Sequence, residues 1–245
     1  MTATPAPVSD ARRRELAVNL HHVRQRIVAA CAAAGRSVDD VSLIAITKTF
    51  PASDVVLLAE LGVTDMGENR DQEATPKVAD VASMYSGPEV LRWHFVGALQ
   101  TNKCASVVRY ASLVHSVDRL RLVDALSRAA PQTVVRCLVQ IDLEEGSRPG
   151  RAGARPDEAG DIADAIAGES RLELAGVMAV APLNGDPATA FRKLADIADA
   201  VRQRHPSSNI ISAGMSGDLE EAVANGATHL RVGSALLGAR RNDVR

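Results

Sequence analysis

Short apolar runs recur along the chain at about 41–47, 63–66, 92–96, 112–115, 134–141, 172–180, 209–212 and 228–232. Between them the apolar positions change to three- and four-residue spacing, the mark of a helix with one buried face. The clearest such stretch opens on Asp186-Pro187, an N-cap followed by proline in the first turn, and runs through Phe191, Leu194, Ala195, Ala198 and Val201. Another precedes the first strand. After Asp10, which suits an N-cap, Leu16, Leu20, Val23, Ile27 and Ala30 share one face of a helix from about 11 to 34 that stops at Gly35. Eight strands alternating with helices argue parallel βα units, and eight is the number that closes a barrel. The predicted fold is a (β/α)8 barrel of the TIM type with an extra N-terminal helix. An open doubly wound sheet is the alternative, but its Gly-rich turn after the first strand is missing; Lys48 and Pro51 stand there instead. Residues 1–10 read as a disordered arm and 11–245 as one domain.

Composition narrows the function. Aromatic residues make up only 2% of the chain while hydrophobic residues make up 46%, so the core is built from Ala, Val, Leu and Ile, which suits parallel strands under helices. A net charge of -2 provides no basic field for nucleic acid or an anionic membrane. Cys31, Cys104 and Cys137 form neither a CxxC pair nor an even framework, and no His/Asp/Glu/Cys set has metal-ligand spacing. The first residues lack the apolar region of a signal peptide, and no run approaches the roughly 18 apolar residues of a membrane span. A cytoplasmic protein is expected.

The chemistry lies where the strands end, because side chains there project into the mouth of a barrel. Lys48 closes the first strand, and an amine held in an apolar mouth loses hydration and becomes a nucleophile for an aldehyde. Position alone also allows a lysine that only reaches for solvent. The seventh strand leads to Gly214-Met215-Ser216-Gly217 and the eighth to Arg231-Val232-Gly233-Ser234, each followed by a helical pattern. Small residues and exposed backbone N–H groups in these two loops make a phosphate cradle, and barrels commonly carry one there. Arg231 then points into the same mouth, where it can donate to a pyridine nitrogen and keep that nitrogen unprotonated; a structural pairing with Asp218 or Glu220 is the other reading. His94 reads equally as a catalyst or as a hydrogen-bonded structural residue, and His115 and Glu68-Asn69-Arg70 are placed just beyond their strands.

Ile46-Thr47-Lys48-Thr49, Gly67-Glu68-Asn69-Arg70, the stretch from Trp93-His94 to Asn102-Lys103, Gly214-Met215-Ser216, Arg231-Val232-Gly233-Ser234 and Gly238 together resemble the pyridoxal phosphate homeostasis protein family. The resemblance runs from about 41 to 240. It implies a barrel of fold type III like the N-terminal barrel of alanine racemase, with pyridoxal 5'-phosphate (PLP) as an internal aldimine on Lys48. It also implies that Arg231 faces the ring nitrogen, that Met215, Ser216, Gly233 and Ser234 line or hold the phosphate end, and that Asn69 and His94 belong to the cofactor site. This sequence departs from the family pattern at Thr47, where serine is usual, at Phe50, where lysine is common, and at Arg148, which replaces a lysine in Ser147-Arg148-Pro149-Gly150. Arginine cannot form the Schiff base a lysine could, so a secondary lysine relay through that loop is in doubt.

The resemblance implies cofactor storage, delivery and protection without turnover, with apo PLP-dependent enzymes as possible recipients and a monomer or weak dimer as the working state. An amino-acid racemase on the same barrel is the alternative. It needs an acid/base on each face of the substrate, yet the only tyrosines, Tyr85 and Tyr110, fall on helix-to-strand connections at the opposite end of the barrel. A Schiff-base aldolase for a phosphorylated sugar is a third, more distant reading, which needs no arginine over a ring.

Overall fold

In a computed structural model, which describes residues 10–130, 133–144 and 152–238, the chain begins with helix α1 (Asp10–Ala33). There follow β1 (Ser42–Ile46), α2 (Ala52–Glu60), β2 (Asp65–Glu68), α3 (Asp71–Met84), β3 (Arg92–Phe95), α4 (Cys104–Val107), β4 (Ala111–Val117) and α5 (Leu120–Ala129). The second half continues through β5 (Val135–Ile141), α6 (Ala159–Gly168), β6 (Leu172–Ala179), α7 (Pro187–Arg204), β7 (Ile210–Ser212), α8 (Leu219–Ala224), β8 (His229–Val232) and α9 (Ser234–Leu237). The eight strands pair in sequence order, all parallel, and β1 closes on β8 through Ser42↔His229 to Ala45↔Val232. The expected barrel and its leading helix are therefore present. Residues 1–9 of the arm expected at 1–10 and the Ser147–Gly150 loop lie outside the described residues, and Asp10 is the first residue of α1.

Local chemistry explains the element ends. Gly35 at φ 64 lets the chain leave α1 in a left-handed turn, in which the Gly35 N–H donates to Ala32 O at 3.2 Å and the Arg36 N–H to Cys31 O at 2.9 Å. Asp186 caps α7 as expected, its carboxylate accepting from the Thr189 N–H at 2.9 Å with Pro187 in the first turn.

The main core fills the layer between barrel and helices, where Leu16, Leu20, Val23 and Ile27 of α1 join Val55 and Leu58 of α2 and the outward side chains of the strands. Each such side chain contributes roughly 1.5–3 kcal/mol on burial. Helix α1 lies across the β8–β1 side and is fixed there by polar contacts. Arg12 donates to Asp54 of α2 at 2.6 Å, Arg36 to the carbonyls of Val223 and Ala227 at 2.9 and 2.8 Å, and Arg26 to Glu220 of α8 at 2.7 Å. The barrel interior is divided: Leu113, Leu138, Ala175, Met178 and Ile210 form a small apolar cluster, and a polar chain runs beside it.

Candidate cofactor site

A cavity of about 500 Å³ opens at the strand C-termini between β1, β7 and β8. Ile46, Lys48, Thr49 and Phe50 line it from the first strand end, Met215, Ser216 and Gly217 from the seventh, and Arg231, Gly233, Ser234 and Gly238 from the eighth. Six of the residues expected at the site thus meet in one cavity: Lys48, Met215, Ser216, Arg231, Gly233 and Ser234. Asn69 and His94 are not among the lining residues. Asn69 follows β2 and packs its backbone against Gly97, where a β-carbon would lie 2.1 Å from the Asn69 carbonyl oxygen. Phe50, which marks a departure from the family pattern, is buried in the cavity wall with the Arg12 guanidinium 5.8 Å from its ring centre.

Lys48 is half-buried, and among the described residues its amine makes no hydrogen bond or ion pair. The strand alternation places Ile44 and Ile46 inside the barrel and Thr47 outside, so Lys48 returns to the inner side as the strand ends. The next residue is strained. Thr49 is the one non-glycine residue at positive φ among the described residues, at 68°, and a β-branched side chain there costs on the order of 1–3 kcal/mol.

The turn after β7 is built to leave donors free. Asp218 accepts the Met215 N–H at 2.5 Å and Arg26 donates to the Ser216 carbonyl at 2.9 Å, which fixes the turn from both sides. Among the described residues the N–H groups of Ser216 and Gly217 then have no partner. The Ser216 hydroxyl accepts the Ala235 N–H at 3.2 Å, tying this loop to α9. These amides, the Ser216 and Ser234 hydroxyls and the glycines around them suit an anion that approaches the backbone closely.

Arg231 is buried at the inner wall. It donates to Ser212 Oγ at 2.6 Å and to the Ala179 carbonyl at 2.7 Å, and its Nε–H has no partner among the described residues. Neither Asp218 nor Glu220 accepts from it, so the structural pairing weighed above is absent. Burial lowers its pKa to about 10, which leaves the guanidinium charged at neutral pH.

Behind Arg231 a hydrogen-bonded chain crosses the barrel. Ser212 Oγ is 3.0 Å from His115 Nδ1, His115 Nε2 is 2.9 Å from His94 Nδ1, and His94 Nε2 is 2.9 Å from Asp65 Oδ1. Asp65 opens β2 at the far end of the barrel and is also bound by Arg92 at 2.6 Å. Burial pushes the Asp65 carboxyl up, but the hydrogen bonds from His94 and Arg92 outweigh it and hold the group well below the usual carboxylate range. Burial lowers the His115 pKa well below its ordinary value and keeps the ring neutral, with the Arg231 guanidinium acting in the same direction. Arginine can only donate and a carboxylate can only accept, so the assignment that satisfies every group runs one way, from Arg231 through Ser212, His115 and His94 to Asp65. His94 and His115, read from sequence as residues at strand ends, are interior links of this chain: β4 extends to Val117, two residues past the expected end, and His94 is the third of four residues in β3. Asp65 and Ser212 carry no local sequence signal, because which face of a short strand points inward is fixed by register with its neighbours.

An amine, a charged arginine and a turn with open amides thus meet at the mouth of a parallel barrel, and comparisons with known proteins identify its class. The family model for the alanine racemase N-terminal domain matches residues 18–241. The chain is 41% identical over 244 residues to the pyridoxal phosphate homeostasis protein of Mycobacterium bovis, covering 94% of this chain and 95% of that one. It shares 29% identity and a TM-score of 0.77 with PipY of Synechococcus elongatus PCC7942, solved with PLP bound, covering 91% of this chain and 100% of that one. The alanine racemase of Corynebacterium glutamicum, at 15% identity and a TM-score of 0.68, shares the fold alone; the match covers 95% of this chain and 63% of the racemase. The chain belongs to the pyridoxal phosphate homeostasis protein family, on the alanine racemase N-terminal barrel. Among the described residues no helix is long and apolar enough to cross a membrane.

Proposed function

We propose that the chain binds PLP in this cavity, held covalently by Lys48, and serves to store, protect and hand on the cofactor without turning over a substrate. The observation that carries the reading is the meeting, in one cavity of about 500 Å³, of the Lys48 amine and the Ser216 and Gly217 amides, all without partners among the described residues, with the charged Arg231. That volume falls in the range of small-ligand sites. When bound, the group supplies an electrophilic aldehyde and an aromatic ring able to accept electron density. Lys48 would be the nucleophile for the aldehyde, the turn 214–217 with Ser234 would hold the phosphate, and Arg231 would face the ring nitrogen as a hydrogen-bond donor. Because the guanidinium keeps its proton, it would donate a hydrogen bond without protonating that nitrogen, and the ring would remain a weak electron sink. Ser212 and Ala179 keep the guanidinium in this orientation.

The same lining argues against racemisation. Among the described residues, Lys48 and Arg231 are the only ionisable side chains in the cavity wall, whereas racemisation needs a positioned acid/base on each face, typically worth 10²–10⁴-fold. Tyr85 follows α3 and Tyr110 precedes β4, and neither lines the cavity. Two measurements test the proposal. Pyridoxal lacking its phosphate is expected to bind at least about tenfold more weakly than PLP, a difference of about 1.4 kcal/mol; equal affinity rejects the cradle. Incubation with L- and D-alanine in deuterated water is expected to give no α-proton exchange while PLP passes to an apo-enzyme. Exchange at ordinary enzyme rates, on the order of 1–10³ per second, rejects the carrier reading.

A further inference from the structure

The residues on either side of Lys48 are gripped by a buried ion cluster whose charged side chains do not line the cavity. Lys77 of α3 donates to the Thr47 carbonyl at 2.8 Å, to Glu68 Oε1 at 2.6 Å and to Glu73 Oε1 at 3.0 Å. The Thr47 hydroxyl donates to the same Glu68 oxygen at 2.7 Å, and Glu73 Oε1 accepts the N–H of Thr49. Lys77 and Glu68 are both buried, Glu68 completely, and among the described residues Glu68 Oε2 has no partner. The turn closes with the Phe50 N–H donating to Thr47 O at 3.1 Å.

This cluster is costly to build. One ammonium is shared by two carboxylates, one carboxylate oxygen is left without a partner, and a buried ion pair is in general no more stabilising than apolar side chains of the same size. What it fixes is conformation. Its contacts fall on the carbonyl and hydroxyl of Thr47 and on the amide of Thr49, one residue before and one after Lys48, while Lys48 Nζ itself has no partner among the described residues. The amide it holds belongs to the residue with the disfavoured φ of 68°.

We infer that Lys77 is a positioning residue for Lys48: with Glu68 and Glu73 it keeps the turn 47–50 in its left-handed form before any cofactor arrives, and so aims the Lys48 amine into the cavity. The inference rests on the reading of Lys48 as the point of attachment. Lys77 does not touch the reacting atoms; it acts through the backbone. A cluster that merely joined α3 to β2 would stabilise the fold without acting on Thr49 in particular.

The test compares wild type with Lys77→Met, Glu73→Gln, Thr49→Gly and the double variant Lys77→Met/Thr49→Gly. Three quantities are followed: the thermal midpoint without cofactor, amide hydrogen exchange at residue 49, and the yield of the borohydride-trapped Lys48 peptide as PLP is titrated. Lys77→Met is expected to raise exchange at Thr49 and to lower the apparent affinity for PLP at Lys48, each at least tenfold. Glycine adopts positive φ without penalty, so adding Thr49→Gly is expected to restore most of the lost affinity while leaving the thermal midpoint of Lys77→Met low. A joining role predicts no such rescue. Wild-type affinity in folded Lys77→Met overturns the inference, as does a loss that Thr49→Gly leaves untouched. If Lys77→Met does not fold, Glu73→Gln decides: faster exchange at Thr49 with reduced trapping supports the clamp, and unchanged trapping overturns it. A wild-type protein that yields no trapped Lys48 peptide instead overturns the proposed function, and the exchange measurement still shows whether the clamp exists.

Discussion

Replacing Lys48 with alanine is expected to abolish covalent retention of PLP. After incubation with the cofactor and borohydride reduction, the wild-type protein should give one modified peptide, the one containing Lys48, and Lys48→Ala should give none. The alternatives are limited by geometry, since Lys48 is the only lysine in the cavity wall among the described residues, and the nearby Lys77 is occupied by Thr47, Glu68 and Glu73. The phosphate donors are untouched by the substitution, so dialysable binding should persist at lower affinity. The fold should survive as well: a half-buried lysine with no partner contributes little, and surface-like substitutions of this kind usually fall within about 0.5 kcal/mol. A modified peptide of similar yield at another lysine in Lys48→Ala would remove the assignment.

The second large effect expected is loss of stability on mild acidification. In an unfolded chain an imidazole takes its proton near pH 6.5. In the folded chain burial lowers His229 to about 4 and holds His115 well below its ordinary value. Between pH 6.5 and 4 the unfolded chain therefore binds more protons than the folded one, and stability falls as pH falls. For His229 alone the loss by pH 5 is about 2 kcal/mol, and His115 acts in the same direction. Asp65 acts in a separate window. Its carboxyl is held below the ordinary range, so its contribution is fully present above the unfolded carboxylate pKa near 4 and is lost only below it. Urea midpoints at pH 7.5 and 5.0 check this: the wild type should be markedly less stable at pH 5.0, and His229→Gln should show a shallower dependence. A flat profile across that range would show that the buried histidines titrate normally.

Much of this molecule is legible in its sequence because the information is local. The eight strands follow from short apolar runs, the stop of α1 from Gly35, the start of α7 from Asp186-Pro187, and six of the cavity residues from their place at or just beyond a strand's C-terminal end. What escapes is what register decides. Glu68 stands at the end of β2 and reads as a mouth residue, yet the alternation turns it outward under α3, where it meets Lys77. Lys77 itself reads as one more polar residue on a helix, and no spacing rule links it to Thr47 thirty positions away. His115 reads as a loop residue only because the apolar run ends there, while pairing with β5 carries the strand on to Val117.

In parallel barrels the two rims are commonly assigned different meanings, function at the strand C-termini and stability at the N-termini. The chain from Arg231 to Asp65 breaks that division for this protein. A residue change at Asp65 or Arg92, far from the cavity and easily classed as a folding defect, alters the acceptor at the end of a series whose first donor lines the cavity. Variants found in this protein cannot be sorted by distance from the cavity alone; a substitution on the closed rim has to be judged by whether it leaves an acceptor for His94.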